Sequence, residues 1–178
     1  VSGLTTTLKI TIIAACIGIF LGFLVAIVRS THDKTGKLVI TNFIAKVYLT
    51  VIRGTPTTVQ LLIIYFVVFS TTNVSKIFAA VIAFGLNSGA YVAEIVRSGI
   101  MSVDNGQSEA GRSLGFNYLQ TMIHIVLPQA FKNVLPALGN EFIVLLKETS
   151  ISGFIALNDL TKGGDIIRSI TYEPFLPL

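Results

Sequence analysis

Charge is what this sequence has least of. Asp, Glu, Lys and Arg together make up 12% of its 178 residues, where soluble domains carry about 25%. Hydrophobic residues make up 52%. A water-soluble globule of this length has too little interior to hide so much apolar surface, which leaves a polytopic membrane protein. The net charge of +4 comes from scattered lysines and arginines, so no nucleic-acid footprint is present. One cysteine, Cys16, lies inside an apolar run; it has no partner for a disulfide or a metal site. The two histidines, His32 and His124, fall outside the apolar runs, and no His-Glu-x2-His occurs, which argues against a zinc protease in the membrane. A Gly-x4-Gly-Lys-Ser/Thr phosphate loop is missing too, so any ATP used with this chain is hydrolysed elsewhere. The chain opens on Val1 and stops within an apolar stretch, which reads as a piece of a longer protein. Its first run is too long, and lacks the cleavage site, for a signal peptide.

What is present is a series of apolar runs. Residues 10–28 carry no charge and are long enough to span a bilayer within a first span at 5–28. Gly18 and Gly22 give that run a small-residue face for packing on another helix. Residues 29–37, with Arg29, His32, Asp33, Lys34 and Lys37, read as a loop. Residues 38–52, broken by Asn42 and Lys46, predict an interfacial amphipathic helix or a lead-in to the next span. Pro56 restarts the helix. Further spans are expected at 57–70, 77–100 and 135–156, and a fifth from Pro174. Between the third and fourth lies a polar insert, 102–133. There Asp104 or Asn105 caps a helix and Gly115 ends it, while Pro128 and Pro136 limit the helices that follow. Residues 158–173 turn polar again. Arg29, Lys34, Lys37, Lys46, Arg53, Arg97, Arg112 and Lys132 all fall on one side of this topology. By the positive-inside rule that side is cytoplasmic, with the N-terminus outside.

Two polar groups stand out. The third span holds Asn87, Ser88, Tyr91, Glu94 and Arg97. Ionisable groups cost roughly 2.5–3.5 kcal/mol each on insertion scales, so they face a bundle interior or a cavity. Asn87, Tyr91 and Glu94 share one helical face, and Glu94 and Arg97 are spaced to pair. A cavity lining and a plain salt bridge both remain open. Lys147 and Glu148 read as a structural pair between helices. The second group is Glu109-Ala110-Gly111-Arg112-Ser113-Leu114-Gly115-Phe116. Its small residues suit a groove, its charges set a register, and Phe116 offers an aromatic anchor; the alternative is an ordinary loop.

Glu-Ala-Gly-x3-Gly-x9-Ile-x-Leu-Pro, from Glu109 to Pro128, resembles the Glu-Ala-Ala loop of the membrane subunits of bacterial ABC importers. Gly111 stands where that family usually has Ala. Arg53-Gly54-Thr55-Pro56, the stretch from Ser88 to Arg97, Leu135-Pro136-Ala137-Leu138-Gly139-Asn140 and Lys147-Glu148-Thr149-Ser150 resemble its polar amino-acid branch, which carries histidine, arginine, lysine, glutamine or glutamate. The resemblance implies an all-α type I importer permease, with residues 1–178 as a single transmembrane domain holding four of five spans. It implies a prokaryotic inner-membrane location and a coupling helix at 109–116. Its partners would be a separate ATPase subunit that uses ATP and Mg, a second permease subunit (identical or homologous) and an external solute-binding protein. No cofactor is implied for this chain itself. Glu94, Asn87, Ser88 and Tyr91 would line the substrate cavity. Asp159 and Thr161 would add a second acidic contact, and two carboxylates at one cavity favour a basic amino acid. Glutamine or glutamate is the alternative substrate. A passive channel or an intramembrane enzyme is the alternative class.

Overall fold

The computed structural model describes residues 2–173 and 175. The fifth span expected from Pro174 lies outside the described residues. Among them the structure is helical, with no strand. Helix α1, Ser2–Thr35, runs for 34 residues, about 51 Å, well beyond a hydrocarbon core of about 30 Å. The loop expected at 29–37 is therefore mostly helix. Its charged residues prefer water but do not oppose helix, so α1 continues past the apolar run until Gly36 takes a positive φ of 68°.

Helix α2, Val39–Gly54, and helix α3, Thr57–Ile63, meet at a bend of 109°. Pro56, extended at ψ 137°, makes the break. With the π turn Ile64–Val68, α3 adds 7 and 5 residues, about 18 Å. That is too short to cross the hydrocarbon core alone, so the span expected at 57–70 is incomplete, and α2 meets it at a bend of 109°. Helix α4, Lys76–Met101, is the third span, and Ser75 caps it by accepting from the Phe78 N–H.

Helix α5, Asn105–Ser113, forms the insert. A short α6, Tyr118–Thr121, and a π turn, Met122–Val126, lead into α7, Leu127–Glu148. In the π turn the Leu127 N–H donates to the Met122 carbonyl, just ahead of Pro128. Pro128 sits in the first turn of α7, where no donor is needed. Pro136 lies inside α7 and does not end it; neighbouring helices and local π adjustments make an internal proline tolerable in membrane helices. Beyond a 3-10 stretch, Thr149–Ile155, comes α8, Leu160–Thr171. The sequence reading missed α8. Residues 158–173 read only as a polar stretch, but Asp159 caps the helix by accepting from the Lys162 N–H. Among the described residues two helices, α1 and α4, are long and apolar enough to cross a membrane, or three crossings if α2 and α3 count as one. Helix α7, with 22 residues, is also long enough but carries Lys132, Glu141, Lys147 and Glu148.

Helices α1 and α4 form the spine. A Cβ on Gly18 would come within 2.8 Å of Ser88 Oγ, and one on Gly22 within 2.5 Å of Val92 Cγ1. Only glycine lets the two backbones approach so closely, as the small-residue spacing predicts. Ile10, Ala14, Ala80 and Phe84 fill one end of this spine together with Leu61, Leu145 and Ile155. Ala26, Val92, Val96 and Ile100 fill the other, against Val126 and Ala130.

Candidate substrate path and coupling surface

Helix α4 presents its polar residues to different neighbours. Asn87 is buried; its Nδ2 donates to Gln60 Oε1 at 3.1 Å and to Thr57 Oγ1 at 3.4 Å. Gln60 Nε2 donates in turn to the carbonyls of Ile52 and Thr55 at 2.6 and 2.9 Å. These bonds satisfy backbone groups freed by the bend at Pro56, as a membrane interior requires. Ser88 Oγ donates to Glu141 Oε1 on α7 at 2.9 Å, and Thr57 Oγ1 donates to Glu148 Oε1 at 3.5 Å. Glu141 and Glu148 are one heptad apart on α7 and half-buried, and neither meets a cation among the described residues. The expected Lys147–Glu148 pair is absent among the described residues; Glu148 reaches α3 instead. The sequence reading places Glu141 and Glu148 inside or near the ends of the span expected at 135–156 and assigns neither of them a site. The signal it passed over was two carboxylates seven residues apart with no basic residue four residues away to pair with either.

Glu94 is the opposite case. Arg29 Nη1 lies 3.2 Å from its Oε2, Arg53 Nη1 lies 3.7 Å away, and Arg97 Nη1 lies 3.5 Å from Oε1. The Glu94–Arg97 pairing read from spacing is present, and two more arginines join it. Arg97 also holds Asp33 at 2.8 Å. The Arg97 hydrogen bond keeps the Asp33 carboxyl below the usual carboxylate range. Tyr91 is partly exposed, with the Arg53 guanidinium 5.5 Å from its ring centre, a cation–π distance.

Asp159 and Thr161 do not share this neighbourhood. Asp159 is buried as the cap of α8, and the next residue, Leu160, donates its N–H to Thr7 Oγ1 at 3.1 Å. Thr7 and Arg29 are 22 residues apart on the unbroken α1, about 33 Å. Glu94 contacts Arg29, so the two carboxylates expected to line one cavity sit near opposite ends of the span. Asp159 is needed where it is, because a helix start must satisfy its first N–H groups.

The insert is a helix for only part of the expected 109–116 stretch. The Asp104 carboxylate accepts from the Gly106 N–H at 2.6 Å and opens α5. The Gly115 N–H donates to the Arg112 carbonyl, the Phe116 N–H to the Gly111 carbonyl, and Gly115 has φ 86°. That is the Schellman ending of a helix, which needs a left-handed residue. The small-residue face is split. Gly111 is buried, and a Cβ there would come within 2.9 Å of Thr121, so it seats α5 on α6 and does not face outward. Glu109, Ala110, Arg112, Ser113 and Gly115 are exposed. Phe116 is half-buried with its ring 6.2 Å from that of His124, while Leu114 is 74% exposed. Leu114, not Phe116, is the projecting apolar tip. Gly111-Arg112-Ser113-Leu114-Gly115 also has the Gly-x-Ser-x-Gly spacing of a hydrolase elbow, which needs a strand-to-helix turn. Here it ends a helix, and Ser113 Oγ donates to the Glu109 carbonyl at 3.0 Å, so the enzyme alternative gains nothing from it.

Comparison with known proteins agrees with this architecture. The family described as binding-protein-dependent transport system inner membrane component matches residues 18–176. The chain is 39% identical over its full length to a putative glutamine transport system permease protein GlnP of Rickettsia prowazekii, covering 80% of that protein. It is 41% identical over 99% of its length to the arginine transport system permease protein ArtQ of Bacillus subtilis, covering 79% of it. The crystal structure of an amino acid ABC transporter with histidines superposes with a TM-score of 0.86 at 47% identity, over 99% of this chain and 80% of that one. The helical bundle is therefore the fold of a type I ABC-importer permease, and the chain belongs to the binding-protein-dependent transport system inner membrane components.

Proposed function

We propose that residues 1–178 act as one permease domain of an ATP-driven importer for polar amino acids, with the N-terminus outside. The relatives named for glutamine and arginine, and the solved amino acid transporter, support that substrate class. A second permease subunit would complete the path, an external binding protein would deliver the solute, and a separate ATPase would hold ATP and Mg. The insert 102–133 would meet that ATPase through α5 and the turn at Leu114, with Glu109 and Arg112 fixing the register.

The preference for a basic amino acid moves to new residues. Glu94 already faces three guanidiniums, so it has little left for a substrate cation. Glu141 and Glu148 carry the reading: two half-buried carboxylates held, among the described residues, by hydroxyls. Carboxylates that enter a membrane bundle need a compensating cation, and a substrate ammonium or guanidinium would supply one. Glutamine is the second reading, favoured by the Rickettsia relative. Uptake of labelled arginine, lysine and glutamine by the complete transporter in liposomes separates them. Competition by unlabelled glutamine with the affinity of arginine would sink the basic preference. The coupling role is tested by Leu114→Asp. Normal assembly with ATPase activity no longer stimulated by loaded binding protein is expected, and unchanged stimulation overturns the role.

A further inference from the structure

A second charged feature lies apart from the α7 glutamates. Arg29, Lys46, Leu49, Thr50, Arg53 and Glu94 line a cavity of about 450 Å³ between α1, α2 and α4. Three cations against one carboxylate leave it a net charge of +2. Glu94 cannot neutralise all of them: Arg29 and Arg53 share its Oε2, and Arg97 takes Oε1. Arg29 Nε is buried without a hydrogen-bond partner, and Lys46 makes no ion pair among the described residues. A group this rich in donors fits a ligand with several anionic oxygens.

Its depth says which one. In α1, residues 10–28 are uncharged and Arg29 is the first charge after them. That run is 19 residues, about 28 Å, close to a full hydrocarbon thickness. In α4, residues 77–93 are uncharged and Glu94 is the first charge, after about 26 Å. Both helices leave the hydrocarbon at the same level, and they touch there through Arg29 and Glu94. The cavity therefore lies where lipid phosphates lie, on the side with the positive excess. Helix α2 fits that position. Ile40, Phe43, Ile44, Val47 and Val51 form an exposed apolar stripe on it. Lys46, Thr50 and Arg53, at i, i+4 and i+7, form a polar flank on a different side. That is the pattern of a helix at a membrane boundary.

We infer that this cavity binds the phosphate of an anionic phospholipid headgroup, held by Arg29, Lys46 and Arg53. A lipid there would tie α1 and α2 together on the cytoplasmic leaflet, where basic pockets between helices select anionic headgroups. The complete transporter is reconstituted in nanodiscs of 3:1 phosphatidylcholine to phosphatidylglycerol, extracted in mild detergent, and its retained lipids are counted by native mass spectrometry. Retained phosphatidylglycerol is expected to exceed its share of the bilayer by at least about fivefold. Lys46→Gln, with the complex still assembled by size exclusion, is expected to lower that enrichment by about threefold. Retention in proportion to the bilayer, or enrichment unchanged in Lys46→Gln, overturns the inference. A second arm adds inorganic phosphate or the transported amino acid at 10-fold molar excess over lipid. Enrichment that persists supports a lipid site; displacement by either solute assigns the cavity to that solute and overturns the lipid.

Discussion

Helix α4 meets a carboxylate twice, and the two meetings differ in sign. At Glu94 cations outnumber the carboxylate: Arg29, Arg53 and Arg97 converge on one side chain. Some 9 Å further into the bundle along α4, at Ser88, the carboxylates of α7 are short of cations: Glu141 takes a serine hydroxyl, and Glu148 a threonine from α3. Three arginines at one level make sense at the membrane boundary, where water and lipid phosphates help to solvate them. Carboxylates deeper in the bundle have no such help. The contrast separates a carboxylate that the chain itself surrounds with cations from two to which it gives hydroxyls.

The contrast breaks most clearly at α7. Glu141→Gln with Glu148→Gln keeps the shape and the hydroxyl bonds but removes the charge. Losing the charge partner of a bound cation costs about 1.5–3 kcal/mol, which is tenfold or more in KM. Uptake of arginine or lysine is expected to show that loss, while glutamine uptake stays within about twofold. An equal fall for all three substrates would make the two glutamates structural and erase the distinction from Glu94.

The spine of this fold was legible and its polar partners were not. Nineteen uncharged residues announce a span, and Gly18 and Gly22 announce the helix that packs on it, because lipid imposes both rules locally. Asn87 also announced itself as an interior residue, but its partners Gln60 and Thr57 lie some thirty positions away, and the need they meet arises only once Pro56 has bent the chain. Glu94 offered Arg97 by spacing, whereas Arg29 lies 65 positions away and comes to it only through the parallel packing of α1 on α4. Asp159 shows the reverse error. A carboxylate after a span looked like a ligand, but it is a helix cap, and α8 lies in a stretch that read only as polar.

Glu94→Gln sharpens the other side of the comparison. It leaves three guanidiniums, two of them mostly buried, without their shared anion. Breaking a buried pair costs about 3–5 kcal/mol. Glu94 is one-third exposed, and exposed pairs are worth about 1 kcal/mol or less, so a loss near 2 kcal/mol is expected. For a chain of this size that is about 4–8 °C in the unfolding midpoint of the assembled transporter. KM ratios between arginine and glutamine are expected to stay constant. An unchanged midpoint with a KM raised for arginine alone would return Glu94 to the substrate site.

The smallest effect lies just outside the membrane, at Asp33 and Arg97. The Arg97 guanidinium hydrogen-bonds the Asp33 carboxylate and lowers its pKa from 3.8. A depressed carboxyl pKa means that the unfolded chain takes up the proton first as pH falls. The pair therefore contributes its full stability above the unfolded value near 3.8, and loses it as pH drops through the lower folded value. The pair is partly exposed, so the contribution is below about 1 kcal/mol. Asp33→Asn is expected to lower the unfolding midpoint by less than about 4 °C at pH 6, with the difference from the parent shrinking as pH falls below 3.8. Arg97 would keep Glu94 in the variant, so the Glu94 cluster should hold together. If Asp33→Asn instead cost as much as Glu94→Gln, the two carboxylates would form one network and not a boundary cluster with an outlying clasp.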